Sequence, residues 1–482
     1  MADVVYHASP TLARFHRNDS RFRVVRGPVG SGKTTAMCWE IWRRAHAQPK
    51  GDDGVRRSRW LVSRSTYREL KDTTLKSWLQ WFGPHRTGGR MRWDDTTFEL
   101  ETGDVHLEVI GRSLASEADV GKLLSLELTG AWLNEAREFP LALVNRLAER
   151  VGRFPPAGST GAGWVGIVMD TNPADEDAWL TRFELEPPKG WAFFVQPPGL
   201  IRLEDGGLVT NPGAENLAYL ERGYYEANLE AMTLDEVRVY RMNEPGFLVE
   251  GQPYVEGFHE GVHVRDGMAP MQDVLHLGLD IGGGTLTPGC VWLQRSPRGV
   301  FMVFDAGICE GMGAERLADH LAASIADLSP WHAARPDMVR ILADPAGVTR
   351  DPIFEVTALD HLKRRLGWRF DTAPTQDIRL RIGAVQGPIR RLVDGVPGLV
   401  VHPRARDLVK GLKGGWHFPK VTAHGIPRFG DKPAKNRWSH VMDALGYALL
   451  CLGELKAQAG RDAGPRRTVR RHTHAITGRL LG

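Results

Sequence analysis

Gly27-Pro28-Val29-Gly30-Ser31-Gly32-Lys33-Thr34 decides the reading of this chain. It fits G-x-x-x-x-G-K-S/T, with the strand-like run Phe22–Val25 before it and the helix-compatible stretch Thr34–Ala47 after it. Strand, glycine-rich turn and helix in that order are the context the motif requires. Gly27, Gly30 and Gly32, with Ser31 among them, let backbone N–H groups turn inward onto a β-phosphate, and the helix presents its positive N-terminus to the same anion. Lys33 is expected to reach the β- and γ-phosphates of ATP, and the Thr34 hydroxyl to hold the accompanying Mg²⁺. A chance match is the alternative, and the correct flanks argue against it.

Outward from the loop, β-rich runs alternate with helical stretches. Strands are expected at Trp60–Ser63, Val105–Ile110, Leu128–Leu133 and Trp164–Met169, and a helix at Tyr67–Phe82. That alternation predicts a mostly parallel α/β sheet. The strand Leu128–Leu133 runs into Asn134 and Glu135. Glu135 suits a general base that polarises an attacking water. Asn134 stands where an acid would hold the metal's water shell, and an amide brings no charge. A plain strand ending in a surface acid is the bland alternative. Asp170-Thr171-Asn172-Pro173 follows the next strand; Thr171 and Asn172 are candidates for sensing γ-phosphate loss and coupling it to neighbouring elements. An Asx-Pro turn would look the same.

At 482 residues the chain exceeds one typical core, so two domains are expected. We assign 1–245 to the nucleotide-binding domain, 246–267 to a linker, 268–456 to a second α/β domain and 457–482 to a basic tail. Helices are expected over Asn216–Ala227 and Leu234–Met242. Apolar content of 42% and charged content of 25% are ordinary for soluble globular protein, no apolar run has the length of a bilayer span, and the first ten residues carry no secretory pattern. The expectation is a soluble, intracellular chain with no membrane partner. Cys38, Cys290, Cys309 and Cys451 lack C-x-x-C spacing, which argues against a disulfide framework or a zinc knuckle. A net charge of +4 is small for this length, so nucleic-acid binding must come from local patches.

The second domain opens with Val274–Ile281, Gly289–Gln294 and Val300–Ala306, whose short turns predict an antiparallel meander. A helix at Ala314–Ala326, strands at Met338–Ala343 and Gly398–His402, and a final helix at Trp438–Leu455 follow. Asp280 and Asp344 each end an apolar strand, and Asp443 lies on the last helix. Acids so placed can converge on two hard cations that stabilise the attacking and leaving oxygens of a phosphodiester displacement. Each alone would be an ordinary turn former or helix acid. His440 reads as a hydrogen-bonded structural histidine. Lys410, Lys413, Lys420, Arg428, Lys432, Lys435 and Arg437 interleave with Trp416, His417, Phe418 and Trp438 on a hairpin or loop, and such cations bind phosphate without reading sequence. A merely solvated loop is the alternative.

Taken in order, these residues resemble the large terminase subunits of tailed double-stranded DNA bacteriophages and related gene-transfer particles. The likeness rests on the phosphate loop, Val62–Thr73, Leu133-Asn134-Glu135-Ala136, Thr171-Asn172-Pro173, Leu279-Asp280-Ile281-Gly282, Ala343-Asp344-Pro345 and Ser439–Leu445, and covers almost the whole chain. It implies an additional-strand P-loop ATPase followed by an RNase H-like nuclease. Such a motor drives double-stranded DNA through a portal protein into a procapsid and cuts concatemers. The resemblance further implies ATP with one Mg²⁺, two Mg²⁺ or Mn²⁺ in the nuclease site, a small terminase subunit, and a homo-oligomeric ring. It would act in the cytoplasm of the infected bacterial host, transiently on the procapsid portal. Many members carry an arginine inside the loop; here Arg26 lies just outside it, so the charge-stabilising base is expected from Arg26, Lys122, Arg137 or a neighbouring subunit. Two other classes compete. A DNA-repair helicase–nuclease would need a second RecA-like lobe, and a nucleotide-gated structural adaptor would owe weak hydrolysis to Asn134.

Overall fold

The computed structural model describes residues 5–114, 119, 121, 123–157, 161–248, 251–282, 286–345, 357–423, 426–430 and 432–454, without the side chains of 420–428. The chain divides into two units, Met1–Leu248 and Val249–Gly482.

In the first unit, α1 (Pro10–Arg17) precedes β1 (Phe22–Arg26), α2 (Lys33–His46), β2 (Arg56–Arg64), β3 (Arg90–Arg92), β4 (Thr97–Thr102), β5 (Val105–Ser113) and β6 (Gly130–Asn134). Then come α3 (Leu141–Ala148), β7 (Gly166–Thr171), α4 (Trp179–Leu185), β8 (Trp191–Val195) and α5 (Leu234–Tyr240). The sheet order is β3-β4-β5-β2-β6-β7-β1-β8, with β3, β4 and β5 antiparallel neighbours and the remaining pairs parallel. β6 and β7 are buried along their whole length, as strands covered on both faces must be, which explains the apolar runs Ala131–Leu133 and Ile167–Met169 that precede their polar ends. Helix α2 is tied to β1 by charge as well as by packing. Glu40, fully buried, accepts hydrogen bonds from Arg23 Nη2 (2.7 Å) and Arg44 Nε (2.8 Å). A buried carboxylate is tolerated only with such partners, and this one fixes the two elements that the phosphate loop joins.

Two expected helices change form. Tyr67–Phe82 is helical but passes through a π-helical turn at Leu70–Leu75. Asn216–Ala227 is not an α-helix: only a 3₁₀ turn at Leu217–Tyr219 forms, because Asn216 and Gly223 take φ of 70° and 78°. Buried Tyr225 then packs with Leu200, Val237 and Met242 in a small core of its own.

The second unit contains β9 (Leu275–Asp280), β10 (Gly289–Arg295), β11 (Phe301–Ile308), α6 (Ala314–Leu328), β12 (Val339–Ala343), α7 (Ala358–Leu366), β13 (Arg369–Thr372), α8 (Ile378–Arg390), β14 (Leu399–Val401) and α9 (Arg437–Cys451). The sheet order is β13-β12-β9-β10-β11-β14. β9, β10 and β11 form the expected antiparallel meander, and β12 joins β9 in parallel. Helix α9 lies on β9 and β10 where glycines make room: a methyl at Gly278 would stand 2.6 Å from Ala444 O, and one at Gly289 only 2.3 Å from His440 C. Of the expected linker 246–267, residues 246–248 belong to the first unit and 251–267 pack into this one. Gln252–Pro253 pairs with His417–Phe418, and Val264 bridges Val401. The tail 457–482 lies outside the described residues. The four cysteines are free. No helix among the described residues is long and apolar enough to cross a membrane.

Candidate functional site

The phosphate loop leaves the carboxyl end of β1 and enters α2, beside the ends of β6 and β7. Gly27 N donates to Thr171 O (3.2 Å), which hangs the loop on β7. Gly30 and Gly32 take φ of 80° and 85°, a region that side chains strain to enter. Lys33 Nζ donates to the carbonyls of Gly27 and Pro28, both at 2.8 Å, so the ammonium sits inside the loop. Burial lowers its pKa, against the pull of Glu135 and Asp170. Ser31 Oγ lies 2.8 Å from Pro28 O and 2.7 Å from Gln196 Oε1. Gln196 also donates to Ser31 O, a clamp on the loop that no sequence motif announced.

Glu135 follows β6 with φ 57° and ψ 61°, a left-handed conformation that costs a non-glycine residue energy and is typical of functional sites. Its Oε2 accepts from Asn172 N at 3.3 Å. Asn172 Nδ2 donates to Gly27 O (2.8 Å), so one coupling candidate touches both the acid and the loop. The Thr171 hydroxyl accepts from Arg137 N at 3.3 Å. Arg137 Nε stands 3.8 Å from Glu135 Oε2. Arg26 instead forms a two-pronged pair with Glu184 (2.7 and 2.8 Å) and donates to the Asn243 carbonyl. Of the three basic candidates, Arg137 is therefore beside the acid, Arg26 is committed elsewhere, and Lys122 lies outside the described residues.

Asp170, at the end of β7, was not among the expected ligands. It is fully buried. Trp132 Nε1 donates to its Oδ1 (2.7 Å), Asn134 Nδ2 to both oxygens (3.1 and 3.0 Å), and Thr34 Oγ1 to Oδ2 (3.3 Å). Burial pushes its carboxyl upward and Glu135 adds to this, while Trp132, Asn134 and Lys33 oppose.

In the second unit, Asp280 and Asp344 stand at the ends of adjacent parallel strands: Leu279 pairs with Ala343, and Asp344 N donates to Leu279 O (3.0 Å). Helix α9 adds Asp443. The three are near enough that each raises the pKa of the buried Tyr447 phenol, which burial itself raises most and Arg381 lowers. Each has a polar partner. His440 Nδ1 is 2.8 Å from Asp280 Oδ2, Gln376 Nε2 donates to Asp344 Oδ1 (2.9 Å), and Arg381 Nη1 is 2.6 Å from Asp443 Oδ1. Burial pushes the Asp443 carboxyl up to about 7; Arg381 pulls it down and Asp280 pushes it further up. Among the described residues no three acids, histidines or cysteines are drawn together into a formed metal cluster. The donor set is nevertheless three carboxylates, the chemistry that hard divalent ions take.

The expected DNA-binding cations are unequally placed. Lys413 pairs with Glu260 (2.8 Å), and Arg437 lies 3.5 Å from both Glu310 and Asp407. Lys432 and Lys435 line an open cavity of about 460 Å³ with Arg381, Trp416, Phe418 and Asp443. Lys410 ends the short helix Arg406–Lys410. Lys420 and Arg428 lie on an antiparallel hairpin, Lys420–Ala423 and Ile426–Phe429, their side chains outside the described set.

No family model and no curated protein matches the chain. Among solved structures it is similar to the large terminase of a thermophilic bacteriophage, at 14% identity over 92% of this chain and 98% of that one, with a TM-score of 0.40. It is similar to the HK97 bacteriophage large terminase at 10% identity over 93% and 95%, again with a TM-score of 0.40. The large terminase nuclease domain of bacteriophage SPP1, solved with bound Mn, matches at 19% identity over 39% of this chain and 95% of that one, with a TM-score of 0.27.

Proposed function

We propose that the chain is the large subunit of a terminase-type DNA-packaging motor, an ATPase and a DNA endonuclease in one polypeptide. The observation that carries this is the meeting of Lys33, Thr34, Glu135 and Asn172 around one glycine-rich loop. The first unit is read as an additional-strand P-loop ATPase, because β7 stands between the loop strand β1 and the acid strand β6. The second is read as an RNase H-like nuclease, with its acids at the ends of β9 and β12 and on α9.

In this reading Lys33 leaves its loop carbonyls for the phosphates of ATP. Glu135 orients and deprotonates the attacking water, and Arg137 offsets charge that develops on the γ-phosphate. Asn172, bonded to both Gly27 and Glu135, transmits loss of that phosphate to the strand ends. In the second unit Asp280, Asp344 and Asp443 hold Mg²⁺ or Mn²⁺, which supplies Lewis-acid activation of the scissile phosphodiester. His440 orients the Asp280 carboxylate through its Nδ1 contact. Lys432 and Lys435, beside Asp443, take the DNA backbone, with the other loop cations as auxiliary contacts. Double-stranded DNA, a portal protein, a small terminase subunit and further copies of this chain in a ring are the partners this function requires, at the portal of a procapsid in an infected bacterium.

The test separates the two activities. Lys33→Ala is expected to abolish DNA-stimulated ATP turnover and spare Mn²⁺-dependent plasmid cleavage. Asp280→Asn and Asp344→Asn are expected to do the reverse. ATP turnover that survives Lys33→Ala would overturn the loop assignment, and cleavage that survives both acid variants would move the nuclease site elsewhere.

A further inference from the structure

A divalent ion beside a triphosphate needs negative oxygen from the protein, and Asn134 offers only a neutral amide. The register of the sheet shows where the charge has gone. β6 and β7 are parallel neighbours, and Asn134 stands directly across from Asp170. The Asn134 amide nitrogen points at both oxygens of that carboxylate. Its amide oxygen is turned the other way, accepting from Thr74 Oγ1 (2.7 Å) and Arg64 Nη1 (3.4 Å). Asn134 is thereby fully engaged in holding Asp170. Asp170 in turn is the partner of the Thr34 hydroxyl, the atom the loop motif assigns to the metal.

We infer that the metal-facing carboxylate of the nucleotide site has moved one strand over, so that Asp170 serves the ion that accompanies ATP and Asn134 is its positioning residue. This rests on the ATP reading above. Asp170 has no solvent contact, and its hydrogen-bond donors Trp132, Asn134 and Thr34 are all neutral. Lys33 acts on its charge without a hydrogen bond to it, and in the ATP reading that ammonium turns to the phosphates, so a carboxylate this desolvated is costly unless another cation comes to it. The arrangement matches the ligand chemistry of Mg²⁺, one hydroxyl and one carboxylate with water and phosphate completing the shell. It also explains why a chain that lacks the usual acid before Glu135 keeps the rest of the hydrolytic site in place.

The experiment measures binding rather than turnover. Affinity for a fluorescent ATP analogue is titrated with Mg²⁺ and with EDTA, for the full chain, Asp170→Asn and the exchange variant Asn134→Asp/Asp170→Asn. The wild type is expected to bind at least ten-fold more tightly with Mg²⁺. Asp170→Asn is expected to lose that gain while keeping its affinity in EDTA, and the exchange variant to recover most of it, since it conserves both the charge and the atoms of the pair. If Asp170→Asn retains the full Mg²⁺ gain, the inference is wrong. If that variant fails to fold, the exchange variant decides: recovery of the gain supports the inference and its absence overturns it. Failure of the ATP reading looks different, because the wild type would then bind the analogue neither with Mg²⁺ nor with EDTA.

Discussion

Replacing Gly289 with alanine tests whether the proposed nuclease activity of the second unit requires helix α9 to lie flat on the sheet. The added methyl would stand 2.3 Å from His440 C, 2.4 Å from His440 O and 2.6 Å from Val441 N. All three are backbone atoms, so no side-chain rotamer relieves the clash and the helix must move. Restoring a carbon contact of about 3.5 Å requires a shift of roughly 1 Å. Overpacking costs typically about 1–3 kcal/mol, and an unyielding backbone places this case near 3 kcal/mol. The same shift carries His440 and Asp443 away from Asp280 and Asp344. A misplacement of about 1 Å costs on the order of 100-fold in rate. The assay is Mn²⁺-dependent nicking of supercoiled plasmid alongside thermal unfolding and ATP turnover. Gly307→Ala is the control, because a methyl there meets nothing within 4 Å. Cleavage is expected to fall about 100-fold in Gly289→Ala alone, with ATP turnover intact. Wild-type nicking by Gly289→Ala, or an equal loss in Gly307→Ala, would refute the reasoning.

Two further outcomes follow from side-chain placement. Arg137→Ala is expected to lower the ATP turnover number by roughly 1000-fold or more with little change in nucleotide affinity, the signature of an arginine that acts on the transition state; unchanged turnover would assign that role to another group. His276, on β9, has its pKa pushed down to about 4, first by burial and then by Arg340. The unfolded chain takes up this proton near pH 6.5 and the folded chain only near pH 4, so stability is complete above pH 6.5 and falls as pH drops. At pH 5 the loss is about 2 kcal/mol, since each pH unit below 6.5 removes about 1.4 kcal/mol. Urea titration at pH 7 and pH 5 should show a drop smaller by that amount in His276→Gln; equal drops in both proteins would exclude His276 as the source.

The strands and the loop were legible because their signals are local. An apolar run bounded by turn residues, or a glycine-rich motif before a helix, carries its meaning in adjacent residues. β3 escaped notice because it is a three-residue edge strand bearing two arginines, β4 because only Phe98 and Leu100 stand out among its polar residues, and α8 because Pro388 near its end masks a helical pattern. The expected helix at Asn216–Ala227 failed on two left-handed residues, Asn216 and Gly223, the first of which donates its side-chain amide to the Gly30 carbonyl of the distant loop. The candidate acids were visible as strand-end and helix residues. Asp170 was visible too, but its significance depends on standing opposite Asn134, a distance of 36 residues along the chain and one strand across. Gln196 and Arg381 were invisible for the same reason: they earn their places only through cross-strand and cross-helix contact.

The stretch before β9 bears on how this molecule can be dissected. Tyr254 and Val255 are core residues of the second unit, and His263 Nε2 is 3.1 Å from Ile389 O. A fragment that starts at residue 268, where the sequence suggests a domain begins, would discard an edge strand and leave Trp416 and Val401 facing water. Residues 251–267 are therefore a belt worn by the second unit, and any excised version of it has to include them to be the same object.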